Sequence, residues 1–184
     1  MKGIVFNLLE EVISRRYGNE TWDSLLAAAN DDGVYTSLGS YSDDKMSALV
    51  TAASKALGEP PEVVLRWFGR QAMPLLAERY PVFFAGPSNT RAFLLTLNEI
   101  IHPEVRTLYP GAYVPVFDYD SSTADVLRMG YRSERKLCAL AHGFIEGAAD
   151  HYGEVASVEQ RECMHRGDPQ CTFEVRLTKA GEAS

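Results

Sequence analysis

The sequence of 184 residues has little cysteine and no long apolar run. Its three cysteines are an odd number, which is against a disulfide framework and favours buried thiols or a metal site in a reducing cytoplasm. No apolar run approaches the roughly 20 residues that a membrane-spanning helix needs. The first seven residues, Met1–Asn7, carry one basic side chain and no small-residue cleavage site, so we expect no signal peptide and a cytoplasmic protein.

Positive charge is also scarce. Eighteen Lys and Arg residues stand against 25 Asp and Glu residues, which gives a formal net charge of -7 at pH 7. Nucleic acids and anionic membranes are usually bound through basic patches, so we expect neither as a partner. With 46% hydrophobic residues, a chain of this length can bury a sizeable core as one domain.

The sequence signals of the common enzyme classes are missing. It contains no glycine-rich phosphate loop, no H-E-x-x-H and no G-x-S-x-G. Function must therefore be sought in less standard groups of polar residues.

Apolar residues at spacings of three and four predict a helical first half. The clearest stripe runs from Ile4 to Ile13 and ends at Tyr17-Gly18. A polar loop is expected at 36–44. Further helices are predicted at 22–29, 46–57, 62 to about 80, and 91–101.

The second half changes character near residue 110. Short β-rich runs occur at 113–117 and 125–131, a helical pattern covers 137–152, and 156–163 with 170–177 read as a hairpin. The expected fold class is α+β: a mainly helical amino-terminal subdomain packed on a carboxy-terminal subdomain with a small antiparallel sheet.

Two polar features interrupt this pattern. His102 ends an apolar helical run, which is typical of a surface or capping histidine but also of an imidazole that ligates haem iron. In the run 131–135, an extended backbone would project Tyr131, Ser133 and Arg135 to one side. Two hydroxyls and a guanidinium suit carboxylates, although a half-exposed strand end could carry the same residues.

Together these features resemble the H-NOX family, the haem nitric oxide/oxygen-binding domains related to the haem domain of soluble guanylate cyclase. The resemblance rests on the amino-terminal Met-Lys-Gly-Ile-Val-Phe followed by a helix, on His102-Pro103, on Pro115 and on the Y-x-S-x-R triplet. It covers Met1 to about Leu177.

The resemblance implies one haem-binding domain over 1–184, with haem b between two parts. These are a helical distal part at about 1–60 and a proximal α+β part at about 61–177. Residues 178–184 are expected to form a frayed tail.

By matching positions, the resemblance also implies roles for single residues. His102 corresponds to the proximal iron ligand, and Pro115 to the proline that presses on the porphyrin and distorts it. Tyr131, Ser133 and Arg135 correspond to the cradle of the haem propionates, which require hydrogen-bond donors when buried.

The distal side would decide which gas is bound. The matching positions are Val5, Leu9, Ala72, Leu140 and Phe144, all apolar, with Leu140 where O₂-binding members carry a tyrosine. Bound O₂ generally requires a hydrogen-bond donor, whereas NO binds ferrous haem without one. The resemblance is therefore to the NO-selective bacterial branch, whose members also bind CO.

The implied function is that of a sensor rather than an enzyme. NO would weaken the bond between iron and His102, the haem would flatten away from Pro115, and a separate protein would read the change. The family's usual partners are a histidine kinase or a cyclic-di-GMP enzyme. Three alternatives remain: an O₂-binding H-NOX protein, a zinc or thiol redox sensor, and a haem peroxidase, which the apolar distal lining disfavours most.

A second group of residues involves the three cysteines. Cys163 and Cys171 flank the expected hairpin turn that contains His165, and Cys138 lies in the first turn of the preceding helix. These four could form a Cys₃His zinc site, or the cysteines could be ordinary buried thiols. Some bacterial H-NOX proteins of similar pattern hold zinc there, with a histidine three residues before the first hairpin cysteine. Gln160 stands at that position here.

Overall fold

In a computed structural model that describes residues 1–181, the chain forms eight α-helices and four β-strands. The helices are α1 (Gly3–Tyr17), α2 (Asn19–Ala29), α3 (Asp43–Leu57), α4 (Pro61–Arg79), α5 (Pro81–Ala85), α6 (Thr90–Leu95), α7 (His102–Leu108) and α8 (Cys138–His151). The strands are β1 (Val116–Asp120), β2 (Leu127–Arg132), β3 (Glu154–Glu162) and β4 (Cys171–Lys179).

The amino-terminal helices follow the predicted pattern with shifted starts. Helix α1 buries most of the predicted stripe and ends at Tyr17, and the next residue, Gly18, has a φ of 89° that turns the chain directly into α2. Helix α2 therefore begins at Asn19, three residues before the predicted start. Helix α3 begins inside the expected loop, because Ser42 caps it by accepting a hydrogen bond from the amide of Asp44 at 3.2 Å.

Helices α4 and α8 pack closely because glycines face backbone at their crossing. A Cβ atom at Gly143 would overlap the carbonyl oxygen of Arg66, and one at Gly69 would overlap that of Leu140. An ion pair between Arg66 and Glu146 joins the same two helices at 2.6 Å. This close pair supplies one wall of the cavity described below.

The single helix predicted at 91–101 is divided. Helix α6 ends at Leu95, a π-helical turn covers Leu97–Ile101, and α7 begins at His102. Asn98 fixes this turn to β1, since its side chain donates to the carbonyl of Phe117 at 2.6 Å and accepts from the amide of Phe117 at 3.2 Å. A π-helical turn often marks a functional site, and here it sets the direction in which His102 leaves the backbone.

The four strands form one antiparallel sheet in the order β1-β2-β4-β3. The predicted hairpin is confirmed, but β4 continues to Lys179, which pairs with Glu154. The expected fraying from residue 178 is therefore wrong for Thr178 and Lys179, and residues 182–184 lie outside the described residues.

Two apolar clusters form the core. The first is formed by the four helices α1, α2, α3 and α4 and centres on Phe6, Leu49 and Phe68. The second lies between the sheet and helices α6 and α8 and centres on Met129 and Phe173. Helix α8 contributes to both. The architecture confirms the predicted α+β class. Among residues 1–181, no helix has the length and apolar character to span a bilayer.

Candidate functional site

A cavity of about 410 Å³ lies between the two apolar clusters. Helices α1, α4 and α8 form one side, and α6, α7, β1 and β2 form the other. Its walls are mostly aliphatic and aromatic, and its size is within the usual range for small-molecule and cofactor sites. Of the residues predicted for the haem site, it is lined by Val5, His102, Pro115, Tyr131, Ser133, Arg135, Leu140 and Phe144.

His102 enters the cavity from the first turn of α7. Its ring stacks on Phe117 with a centroid separation of 5.8 Å, and its Nδ1 is buried with no hydrogen-bond partner among the described residues. The pKa of His102 is lowered to about 4, mainly by burial and in smaller part by the charge of Arg106, while the backbone of Pro115 opposes both. The imidazole is therefore neutral at pH 7, which is the form that binds metals.

Tyr131 and Ser133 are buried rather than exposed to solvent at the end of the strand. Tyr131 is 3% exposed near the end of β2, and Ser133 is 7% exposed just after it. Burial raises the pKa of Tyr131 to about 12, so its hydroxyl remains a proton donor at neutral pH. These two side chains offer donors to a carboxylate in the cavity.

Arg135 is held in place by groups that the sequence pattern did not indicate. Its Nε donates to Asp43 Oδ2 at 2.7 Å, and its Nη1 donates to the carbonyl of Tyr113 at 2.9 Å. Asp43 also pairs with the α-ammonium of Met1 at 2.8 Å. Ninety-two residues separate Asp43 from Arg135, so no local pattern could have revealed the contact.

The opposite wall is apolar, with two differences from the expected set. Val5, Leu140 and Phe144 line the cavity, but Leu9 and Ala72 lie in the amino-terminal core instead. Leu8, on the same face of α1 as Val5, lines the cavity in place of Leu9. Leu8 and Leu9 point in different directions, because one residue along a helix turns the side chain by about 100°.

These residues fit a haem. The cavity combines apolar walls with a neutral imidazole whose buried Nδ1 has no hydrogen-bond partner within residues 1–181, and with a tyrosine, a serine and an arginine on the same lining. A flat apolar ring bearing two carboxylates and a metal requires these groups.

The three cysteines converge at a different place, where the start of α8 meets the end of β3 and the start of β4. Cys138, Cys163 and Cys171 are buried, and their sulfur atoms all lie within 4.8 Å of one another. Burial raises the pKa of Cys171 to about 12. We call these three residues the cysteine cluster.

His165 does not join the cysteine cluster. It is exposed on a 3₁₀ turn, Met164–Arg166, and its Nε2 lies 2.7 Å from the carbonyl oxygen of Lys136. The expectation that His165 completes the group is therefore wrong for this structure, because its imidazole contacts the carbonyl of Lys136 and does not group with the three sulfurs. Gln160, on β3, instead has a buried Nε2 atom that makes no hydrogen bond to any of the residues that the structure describes.

Comparison with known proteins agrees with the inference that the cavity fits a haem. The family model described as haem-NO-binding matches residues 2–160. The H-NOX protein of S. oneidensis, solved in the Fe(II)NO ligation state, is 29% identical with a TM-score of 0.91, over 97% of this chain and 100% of that chain.

Two further solved structures are similar. The Fe(II)CO form of an H-NOX domain from Shewanella oneidensis is 28% identical with a TM-score of 0.88, over 97% of this chain and 99% of that one. An oxygen-binding H-NOX domain related to soluble guanylate cyclases, solved as its oxygen complex, is 25% identical with a TM-score of 0.82, over 100% and 99%. Since the family model spans most of its residues, this chain belongs to the haem-NO-binding, or H-NOX, family.

Proposed function

We propose that this H-NOX domain is a sensor that binds NO in preference to O₂ and signals to a separate protein. The observation that carries the proposal is the neutral imidazole of His102 at the wall of an apolar cavity, whose buried Nδ1 has no hydrogen-bond partner in the described part of the chain. Haem b, held at this cavity, would supply a ferrous iron that can bind a diatomic gas.

His102 would be the proximal ligand. Its low pKa keeps a lone pair free at neutral pH, so binding a metal costs no deprotonation. The Phe117 ring, stacked at 5.8 Å, limits the rotation of the imidazole. Pro115 lines the same cavity and would press on the porphyrin there.

Tyr131, Ser133 and Arg135 would bind the propionates. Two buried carboxylates need strong donors, and only a cationic partner offsets their charge. Arg135 is the one cation of the three, and its contacts with Asp43 and Tyr113 orient the guanidinium before haem arrives. Preorganisation of this kind lowers the entropic cost of binding.

The distal wall supports selectivity for NO. Val5, Leu140 and Phe144 offer no hydrogen-bond donor from their side chains, and they would face a bound gas. CO, which also needs no donor, would bind as well. The related solved structures carry NO, CO and O₂, so the family fold accepts all three gases and the wall residues make the distinction.

The segment around His102 is suited to transmit a signal. In α7 and in the π-helical turn before it, every residue is at least partly exposed, so less packing energy opposes a shift of α7 than of a core helix, while Asn98 anchors the turn itself to β1. Such a shift would change the exposed surface near Ile100 and Leu108. We propose that a cytoplasmic partner, a histidine kinase or a cyclic-di-GMP enzyme, reads this surface and that the domain itself catalyses no reaction.

Visible spectroscopy tests the proposal. The reduced protein is examined without oxygen, then with NO, and then in air. A five-coordinate ferrous spectrum that changes with NO and forms no stable oxygen complex is expected, whereas a stable oxygen complex would assign the domain to O₂ binding. His102→Gly should retain haem only with added imidazole, and the exposed His151→Ala serves as control. Haem retention by His102→Gly without imidazole would refute the proximal assignment.

We also propose a second site, for zinc, at the cysteine cluster. Three buried sulfurs within 4.8 Å of one another are the observation that favours it, since three thiolates suffice to hold Zn²⁺. The metal content of purified wild-type protein should fall to background in Cys138→Ala. A response to oxidants that persists in His102→Ala would instead favour a thiol redox sensor that works without haem.

A further inference from the structure

Gln160 lies on the inner face of β3, against the cysteine cluster. The strand alternates partly buried and exposed residues, and Gln160 follows Ala156 and Val158 on the partly buried side. It pairs with Phe173 of β4, whose inner face also carries Cys171 two residues earlier. A polar amide thus occupies an inward position on a sheet face that is otherwise apolar or sulfur-bearing.

The amide of Gln160 has an unused donor. Its Nε2 is buried and makes no hydrogen bond of standard geometry among the described residues, although the side chain is near enough to Cys138 to oppose the rise in pKa that burial causes in that thiol. A neutral thiol is a weak acceptor, so this N–H gains little in the metal-free protein. A thiolate at the same place would accept a strong, charge-assisted hydrogen bond.

A bound cation would create that thiolate. Binding a divalent ion through the cysteine cluster displaces three thiol protons and leaves a net charge of −1 inside the protein. Such a charge needs donors nearby. One is already present, because the backbone N–H of Met164 donates to Cys171 Sγ at 3.3 Å. Gln160 is positioned to be the equivalent donor for Cys138.

The fourth coordination position has no protein ligand in this arrangement. Over residues 1–181, the potential ligand atoms that group here are the three sulfurs alone, and His165 is engaged by Lys136. A soft divalent ion tolerates such a set, since zinc sites with three protein ligands keep an exchangeable fourth position.

We propose that the cysteine cluster binds a soft divalent cation through three thiolates with an open fourth position, and that Gln160 stabilises it by donating from Nε2 to the Cys138 thiolate rather than by coordinating. This inference rests on the zinc site proposed above. It makes Gln160 a positioning residue and gives His165 no part in metal binding.

The test is a competition between the haem-loaded protein and a chromophoric chelator for Zn²⁺. Gln160→Glu keeps the size of the side chain but replaces the donor with a carboxylate. If Nε2 donates, this variant binds Zn²⁺ at least tenfold more weakly, because a charged acceptor then faces the thiolates. If Gln160 instead coordinates through oxygen, the carboxylate is the better ligand and Gln160→Glu binds more tightly, which overturns the inference.

Further variants distinguish an error in the role of Gln160 from an error in the zinc site itself. Gln160→Met, which has similar length and no donor, should also weaken binding roughly tenfold while leaving the melting temperature of the metal-free protein unchanged. His165→Ala should match the wild type within twofold, and a loss as large as that of Gln160→Glu would make His165 a ligand. Unchanged affinity in both Gln160 variants would refute the donor role. If Cys138→Ala binds Zn²⁺ as well as the wild type, the zinc site itself is wrong, whatever Gln160 does.

Discussion

The carboxylate of Asp43 accepts a hydrogen bond from Nε of Arg135 at 2.7 Å and thereby ties the start of α3 to the segment after β2. Asp43 also pairs with the amino terminus, so one carboxylate holds two positive groups at the edge of the cavity. Burial opposes ionisation of Asp43, but these two cations lower its pKa overall. The arginine therefore lies in a fixed orientation that a flexible surface side chain would lack.

Removal of the arginine should weaken haem binding. In Arg135→Ala the propionates lose their cationic partner, so we expect transfer of haem to an excess of apomyoglobin to be at least roughly tenfold faster. Arg132→Ala is the matched control, since Arg132 lies on the same segment but pairs with Asp118. Equal transfer rates for Arg135→Ala and the wild type would contradict the propionate assignment.

A distal donor should change the gas preference. Leu140→Tyr places a hydroxyl in the apolar wall, and a hydrogen bond to bound O₂ is worth about 1 kcal/mol or more, so O₂ should dissociate roughly tenfold more slowly. Leu140→Phe adds the same ring without the hydroxyl and should resemble the wild type. The measurement is stopped-flow absorbance after rapid mixing with an O₂ scavenger. An equal effect of both variants would attribute the change to packing rather than to the donor.

The sequence predicted those parts of the fold whose signals are local. The apolar stripe of α1 and the alternation of β4 were sufficient, because helical and strand periodicities record which face is buried. The division after Leu95 was missed, since Asn98 imposes it through a contact with Phe117 that is nineteen residues away. Local propensity carries no information about such a partner.

The candidate site shows the same limit. Family resemblance indicated His102 and the triplet, and the structure places all four on one cavity. The family resemblance could not indicate Asp43, because the contact of Asp43 with Arg135 depends on tertiary packing. His165 was misplaced because spacing alone does not fix the direction of a side chain in a short 3₁₀ turn.

Acid should destabilise the protein through His142. This side chain is largely buried on α8, and its Nε2 lies 3.9 Å from Glu146 Oε1 but has no hydrogen-bond partner among residues 1–181. Burial lowers its pKa to about 4 and the charge of Arg66 contributes, while Glu146 opposes. The unfolded chain takes up a proton below pH 6.5 and the folded chain does so only near pH 4. Stability is therefore full above pH 6.5 and is lost as the pH falls toward 4.

The difference between wild type and His142→Leu isolates this effect. Between pH 7 and pH 5 the histidine should account for a loss of about 2 kcal/mol in the free energy of unfolding, measured in urea. His142→Leu removes that contribution but keeps the ion pair of Glu146 with Arg66, so its stability should fall less over the same interval. Parallel pH profiles for the two proteins would exclude His142 as the cause.

The contact between α4 and α8 should not tolerate a side chain at Gly143. A Cβ there would lie 2.8 Å from the carbonyl carbon of Arg66 and 2.9 Å from the amide nitrogen of Arg70, and backbone atoms of a helix do not move aside easily. Alanine gains about 1 kcal/mol in helix propensity. Overpacking costs about 3 kcal/mol, so Gly143→Ala should lose about 2 kcal/mol in the free energy of unfolding.

Gly86→Ala distinguishes this steric effect from a general effect of glycine replacement. Gly86 has an ordinary φ of −80° and open space around it, so alanine there should change stability by less than about 0.5 kcal/mol. Because Phe144 of the distal wall follows Gly143 directly, separation of α4 from α8 would also displace that wall. We therefore expect Gly143→Ala, but not Gly86→Ala, to alter the rate of CO rebinding after flash photolysis. Unfolding curves that coincide for Gly143→Ala and the wild type would mean that the two helices are not packed as closely as the structure places them.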